Sequence, residues 1–451
     1  MASAKLTRTF SAGNRKTFTF SAWVKRNGTG TDYEGICIAS GGDEGIFFKD
    51  HGIAFFINGA AQRNTTRVFR DIHAWYHFVL AVDTTQATAA DRVKFYVNGV
   101  QETLYNNSNY PTQNSDGLFN NNAGTHVIAG HSTQSYFLDG EMAHVHYVDG
   151  TAYTPTTFGE TDATTGIWKP KTSPTVTYGT NGFFLKFDNS ANMGLDSAGS
   201  NNLTTSGTII QNKDTPSNVF ATLNPLLVPT SNGPTFSNTN NTSITNNSTG
   251  SYRWGGCTTL GMTSGKYYCE AKATVDNTYS RNVIGITGDS ANIARANGSI
   301  LNGTHSWGYY SSNGAVAGNG GGDLSGYSTT YTTGDIISMA LDLDNNKLYF
   351  RKNNDAWQNS GNPTSGASGT GAVSIIAASA TNDGAYFFAQ TDDTGTSSPS
   401  KFDFNFGNGY FGTTAVTSAE NPDDGVGVFE YDVPAGYRAL CTKSLNAEEY
   451  S

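Results

Sequence analysis

Two histidine pairs, one run of acidic residues and one pair of carboxylates have spacings that could support chemistry in this chain. His73 and His77 stand four apart, the separation that lets two imidazoles on one helix bind a metal. The segment Ile72–Val79 (IHAWYHFV) instead enters a strand pattern, where residues i and i+4 lie about 13 Å apart, so the pair is expected to be structural. His144 and His146 share one strand face, but no third ligand lies near them in sequence, and they read as sheet-surface polar residues. Asp342-x-Asp344-x-Asn346 begins like a calcium loop. Lys347 then occupies the position that needs glycine and no glutamate closes the motif, so the segment reads as a hairpin turn. A glycosidase needs two carboxylates about 5–10 Å apart. Glu141 and Asp149 are the nearest match, and Asp149 falls in a VDG turn at a strand end. No G-x-S-x-G elbow, P-loop or H-E-x-x-H occurs. These residues predict a protein that is not an enzyme and uses no cofactor and no metal.

Surface recognition is then the remaining class of activity. Tyr309, Tyr310, Tyr327 and Tyr331 lie in or beside the glycine-rich segment Ser311–Thr333. Aromatic rings on loops stack on sugar faces while neighbouring Asn and Asp bond hydroxyls. The alternative is that these rings pack beneath the loop or against a neighbouring subunit. Tyr105 and Tyr110 form a second ligand-binding candidate on the same reasoning. Asn-x-Ser/Thr sites such as Asn64, Asn202 and Asn302 arise by chance in a chain so rich in these residues.

Composition narrows the class further. The chain has 451 residues, enough for two or three domains. Glycine is abundant (52), proline sparse (12), and Phe and Tyr number 26 and 23, while helix-forming runs are rare. That combination predicts an all-β protein. Only 14% of residues are charged, so the polar surface consists mostly of Asn, Thr, Ser and Gln, groups suited to sugars, neighbouring subunits and ordered water. A formal charge of -10 with scattered basic residues argues against nucleic-acid binding. No stretch is apolar for long enough to cross a bilayer as a helix, and Met1–Ser11 has no apolar core of a secretory signal. Synthesis in a cytoplasm is expected, with Cys37, Cys257, Cys269 and Cys441 as reduced, mostly buried thiols. Cys257 and Cys269 flank the turn Met262–Gly265 and could face each other across a hairpin, although two separate core thiols fit the compartment better.

The elements that would position these residues follow a two-residue period. Thr17–Lys25 (TFTFSAWVK), Ala74–Asp83 (AWYHFVLAVD) and Arg92–Val97 (RVKFYV) read as strands, with Asn98-Gly99 as a hairpin turn. Gly35–Ser40, Gly45–Lys49 and Gly52–Ile57 are short strands punctuated by glycine. Phe137–Asp149 (FLDGEMAHVHYVD) and Gly182–Asp188 (GFFLKFD) close this set. A polar stretch rich in Asn, Ser and Thr follows, with one apolar strap, Val219–Val228 (VFATLNPLLV), expected to be ordered. Gly265–Ala273, Asn282–Gly288, Ser306–Ser311 and Gly334–Arg351 form a second strand set. The expected fold is two antiparallel β-sandwiches, residues 1–188 and 252–451, joined by a long polar connector over 189–251.

The run DG…VDG…FGE…GIWKPK…YGTNGF resembles the laminin-G-like (concanavalin A-like) jelly-roll module found in structural proteins of tailed-phage particles. The segments GKYYCE, IGI, WGY and GDIISMALDLD…LYFRKN resemble a SPRY domain, with Cys269 where that family commonly has tryptophan. The resemblance implies a non-enzymatic virion component, a fibre, spike or decoration protein that presents sandwich loops to a host cell-surface glycan. The alternatives are a purely structural head or tail protein that contacts only other virion proteins, and a glycan-cleaving tail enzyme. Implied partners are other virion proteins and further copies of the chain in a homo-oligomer, most simply a trimer, with no nucleic acid and no membrane insertion.

Overall fold

The computed structural model describes residues 4–449 except 29, 31–32, 40, 42–43, 58–60, 229–232, 240, 246–253, 276–281, 294–299, 301–302, 320–325, 328 and 393–399. The chain divides into two compact units, Met1–Gln211 with Thr215–Ser217 and Asn212–Asp214 with Asn218–Ser451.

The first unit is a sandwich of two antiparallel sheets. Its eight-stranded sheet runs in the order Tyr105–Ser108, Ala61–Thr65, Gly52–Ile57, Gly45–Lys49, Glu34–Ile38, Thr125–Ile128, Lys5–Thr9, Thr204–Ser206. The six-stranded sheet runs Phe183–Leu185, Gly140–Asp149, Thr17–Arg26, Tyr76–Asp83, Val93–Val97, Val100–Gln101. Alternation along each strand sends every second side chain inward. Ile46, Phe48, Ile53 and Phe55 meet Phe18, Phe20, Phe78 and Phe95 in one core. Across the two sheets, Phe48 lies 5.8 Å from Phe78 and Phe55 lies 5.5 Å from Phe95. Asn98 and Gly99 take φ of 48° and 82° between the paired residues Val97 and Val100, the left-handed turn that matches strand twist.

One carboxylate ties the ends of this unit together. Asp149 Oδ1 accepts the Asn14 N–H at 2.8 Å, and its Oδ2 accepts the Asn181 N–H at 3.2 Å and the Asn181 Nδ2 at 3.3 Å. Asn181 holds both the N–H and the carbonyl of Ser11, at 2.9 and 2.8 Å, and Asn120 Nδ2 donates to the Asn14 carbonyl at 2.7 Å. Gly13 is glycine because a Cβ there would stand 2.3 Å from Asp149 Oδ2.

The second unit is also a sandwich. Thr235–Ser237, Thr242–Thr245, Ser400–Asn405, Lys266–Val275, Ile336–Asp342, Lys347–Lys352 and Val373–Ser374 form one sheet, to which Arg438–Ala439 adds in parallel beside Lys266–Val275. Trp254–Cys257, Phe387–Asp392, Asn282–Thr287, Ser306–Tyr310 and Val316–Gly318 form the other. Ile284, Ile286 and Phe388 pack on Cys269, Met339 and Phe402 in its core. The C-terminal tail is anchored on a buried carboxylate. Glu270 accepts the N–H groups of Glu430 and Tyr431, both at 2.9 Å, and the Tyr268 hydroxyl at 2.9 Å. Burial raises its pKa to about 7 against these donors. The four cysteines are free and buried, with Cys257 and Cys269 on different sheets rather than across one hairpin. Among the described residues no helix is long and apolar enough to cross a membrane.

Residues 189–251, expected as a connector, are shared between the units. Thr204–Ser206 pairs with Lys5–Thr9 as the last strand of the eight-stranded sheet. The strap, expected to be ordered, packs within the second unit. Phe220, Ala221 and Leu223 are buried, the Ala221 N–H donates to the Leu440 carbonyl at 2.9 Å, and Phe220 and Leu223 bridge to Cys441 and Thr258. The C-terminal segment supplies the apolar cover that local sequence did not reveal. Leu226 alone of the strap's leucines is well exposed, at 62%.

Asp149→Ala is expected to destabilise the first unit by roughly 2–4 kcal/mol, because it strands buried N–H donors. Calorimetry should show the first unit's transition moving down and the second unit's unchanged, and equal movement of both would contradict the assignment.

Candidate functional site

The chain itself lies over part of both outer faces of the first unit, with residues 151–178 on the six-stranded sheet and residues 130–138 on the eight-stranded one. Over the six-stranded sheet runs the segment from Thr151 to Tyr178. The Thr19 hydroxyl donates to the Thr151 carbonyl at 2.7 Å, and the Tyr153 N–H donates back to that hydroxyl at 2.8 Å. Phe158 closes on Val79 and Val148. His77 is fully buried, with Trp23 at 4.8 Å and Trp168 at 6.0 Å, stacked on it from two directions. Trp168 Nε1 donates to His77 Nδ1 at 3.0 Å, so the ring proton sits on Nε2 and points at Ser21 Oγ, 2.8 Å away. A neutral imidazole that donates to a hydroxyl cannot take that hydroxyl's proton, so Ser21 and His77 do not form a nucleophile and base. Burial holds His77 down at about 3, His73 at about 4 and His144 at about 4, and puts His146 well below its usual value.

On the outer face of the eight-stranded sheet Ile38, Phe47, Ala54 and Val127 are buried, and residues 130–138 pass over it, the Gly35 N–H donating to the Tyr136 carbonyl at 2.9 Å. Phe47 alternates with the inward Ile46 and Phe48, and Phe56 with the inward Phe55, so each Phe-Phe doublet places one ring outside. Register aligns Gly35, Phe47, Ala54, Asn64 and Asn107 in one row across five strands. Tyr33, Phe56 and Tyr136 are half-buried around a floor of Phe47, Ile38 and Val127. Phe47 meets Tyr33 and Phe56 edge-on, each at 5.7 Å, and Tyr33 lies 5.4 Å from Tyr136. His131 lies 5.4 Å from Tyr136 at right angles. Lys49 Nζ stands 4.9 Å over the Tyr33 ring, and its hydrogen bond to Tyr33 raises its pKa. Among the described residues, Asn64 Oδ1 is withdrawn from solvent and accepts no hydrogen bond. Such a face can take the C–H side of a ring on its aromatics and a hydroxyl on its amides.

The residues that sequence singled out fall elsewhere. Tyr309 and Tyr310 belong to the strand Ser306–Tyr310 and are buried, Tyr309 in the main core and Tyr310 against Cys257 and Val283. Tyr327 and Tyr331 turn inward, their hydroxyls donating to the Gly371 carbonyl at 2.9 Å and the Asn282 carbonyl at 2.8 Å. Tyr105 is a strand residue, half-buried, and with Tyr110 it clamps Arg63, whose guanidinium carbon lies 3.7 and 4.5 Å from the two rings. All six rings therefore pack on their own unit rather than standing as free loop aromatics. His144 and His146 are not surface polars either, since both stack on Phe184 beneath the covering segment. Glu141 pairs with Lys25 at 2.9 Å. Eight residues of strand, roughly 27 Å, separate it from Asp149. The Asp342 carboxylate is spent on Asn345 and on Lys266 at 2.9 Å, in the expected turn. No three His, Cys, Asp or Glu side chains gather as a metal would need among the described residues.

Residues 2–157 match the family model described as the concanavalin A-like lectin/glucanases superfamily. Three solved structures show partial similarity. The SPRY domain of human HERC1 is 16% identical over 40% of this chain and 96% of its own, with a TM-score of 0.30. The SAP-like pentraxin of Limulus polyphemus is 12% identical over 40% and 88%, with a TM-score of 0.28. Domain 4 of AbnA, an extracellular arabinanase of Geobacillus stearothermophilus in complex with arabinotriose, is 16% identical over 32% and 65%, with a TM-score of 0.24. No curated protein matches the chain. The all-β, concanavalin-like assignment rests on the strand pairing and the family match.

The covered histidine face makes the first unit acid-sensitive. A histidine whose folded pKa is depressed stabilises the fold above its unfolded value and loses that contribution as pH falls. For His77 the window runs from 6.5 down to about 3. Keeping it neutral at pH 5 costs roughly 2 kcal/mol. We expect the first unit's melting temperature to fall steadily from pH 7 to pH 4.5, followed by tryptophan fluorescence, and a flat profile would count against the buried neutral imidazoles.

Proposed function

We propose that this chain is a non-enzymatic carbohydrate-binding protein, whose first unit holds a glycan on the outer face of its eight-stranded sheet. The observation that carries the reading is a set of partly exposed rings on that face, Tyr33, Phe56 and Tyr136, which stand over the buried Phe47, Ile38 and Val127. The family match over residues 2–157 supports a sugar as the ligand. Binding without cleavage is supported by the neutral, proton-donating His77 beside Ser21 and by the separation of Glu141 from Asp149. The setting on a tailed-phage particle, as a fibre, spike or decoration component that attaches to a host-surface glycan, is supported by the sequence run ending in YGTNGF. In a homotrimer, repetition of a weak face would multiply avidity without new contacts.

Tyr33→Ala and Tyr136→Ala are each expected to weaken glycan binding about tenfold, the worth of one stacking contact, with the melting temperature unchanged. A glycan array followed by titration of the best ligand measures this. Undiminished binding by both variants would move the site elsewhere, and reducing-sugar release from the bound glycan would overturn the non-enzymatic part.

A further inference from the structure

Among the described residues the outer face of the eight-stranded sheet also carries charge of one sign. Its described strand residues that point outward are Lys5, Thr7 and Thr9, Thr125 and Val127, Ile38, Phe47 and Lys49, Ala54 and Phe56, Asn64 and Asn107, with Thr204 and Ser206 at the edge. Two are lysines, and none of these described residues is a carboxylate. This holds in a chain whose formal charge is -10. Among the described residues the nearby acids are turned away or spent. Glu34 faces inward and pairs with Arg26 at 2.8 Å, and Glu44 is buried and accepts the Leu118 N–H at 2.9 Å. Asp139 lies towards Gly28. Asp50 is on the turn beyond Lys49, strengthens its protonation through space, and forms no ion pair with it.

Both lysines lie against aromatic rings. Lys5 Nζ stands 5.9 Å from the Phe137 centroid and donates to the His131 carbonyl at 3.0 Å. Lys49 stands over Tyr33 at 4.9 Å. Their strands are separated by three spacings in the sheet order, about 14 Å across the face. Two fixed cations bracket a field of rings whose length suits an oligosaccharide rather than a single sugar. An ammonium held at a half-buried surface without a carboxylate partner attracts an anion more strongly than one free in solution.

We infer that the glycan this face takes is anionic, carrying carboxylate or sulfate groups that meet Lys5 and Lys49 while its ring faces lie on Tyr33, Phe56 and Tyr136. This rests on the carbohydrate-binding reading above and specifies the ligand class for the same face. The rest of the acidic surface would repel such a polymer, which confines binding to this face and makes it weaken with added salt.

Affinity electrophoresis of the full chain tests the inference with two matched pairs of polymers, polygalacturonate against its methyl ester and dextran sulfate against dextran. The charged member of at least one pair should retard the protein more than its neutral partner, and the responding pair distinguishes carboxylate from sulfate. Lys5→Gln and Lys49→Gln should each weaken that binding about fivefold, close to 1 kcal/mol, whereas Lys213→Gln, exposed and in the second unit, should not. Tyr136→Ala should weaken binding to either member of a pair. Equal retardation by charged and neutral partners, or loss on Lys213→Gln as large as on Lys49→Gln, overturns the anionic preference and leaves carbohydrate binding standing. No retardation by any of the four polymers, together with an empty glycan array, overturns both.

Discussion

The first unit depends on how one buried carboxylate is satisfied. A carboxyl group taken from water is costly unless donors replace the solvent, and Asp149 finds them in Asn14 and Asn181. Those partners hold Ser11 and, through Asn120, a third loop, so four distant stretches of chain meet at one point. The requirement explains why Gly13 tolerates no side chain. It also fixes the end of the long strand Gly140–Asp149, from which the covering segment departs. With that exit angle set, Tyr153, Phe158 and Trp168 descend on the six-stranded sheet and seal it.

The two outer faces are covered by different stretches of the chain. A two-sheet sandwich has two outer surfaces, and this unit invests its tryptophans and most of its depressed histidines in closing one. Several groups there bond to one another, an indole to an imidazole, an imidazole to a hydroxyl and an ammonium to a carboxylate, while Trp23 Nε1 and His144 Nδ1 have no hydrogen bond among the described residues. The opposite surface keeps partly exposed rings and, among the described residues, two lysines without carboxylate partners.

The fold class was legible because it depends on local signals. Period-two alternation in TFTFSAWVK and the Asn98-Gly99 turn are short-range properties, and both appear where the pattern places them. The fate of residues 189–251 was not legible, because Thr204–Ser206 pairs with a strand at the N-terminus and Phe220 with Cys441 near the C-terminus. Nothing within a window of twenty residues announces such partners. The tyrosines were misplaced for a related reason. A glycine-rich neighbourhood suggests a loop, but Tyr309 lies in a strand and Tyr331 reaches a carbonyl nearly fifty residues away in sequence. The outer aromatic face had a readable signal that composition concealed. Phe47-Phe48 and Phe55-Phe56 are doublets in strands, and a doublet in a strand must put one ring on each side.

That two-sided arrangement has an evolutionary consequence. Phe47, Lys49, Phe56 and Asn64 alternate with Ile46, Phe48, Phe55 and Arg63, so the positions on the side of the proposed glycan face and those that fill the inner core are interleaved. If that face binds as proposed, a substitution at Lys49 or Phe56 would alter what is recognised and leave the inner packing intact. Descendants of this module can therefore exchange one ligand for another by single replacements, each passing through a folded and soluble ancestor.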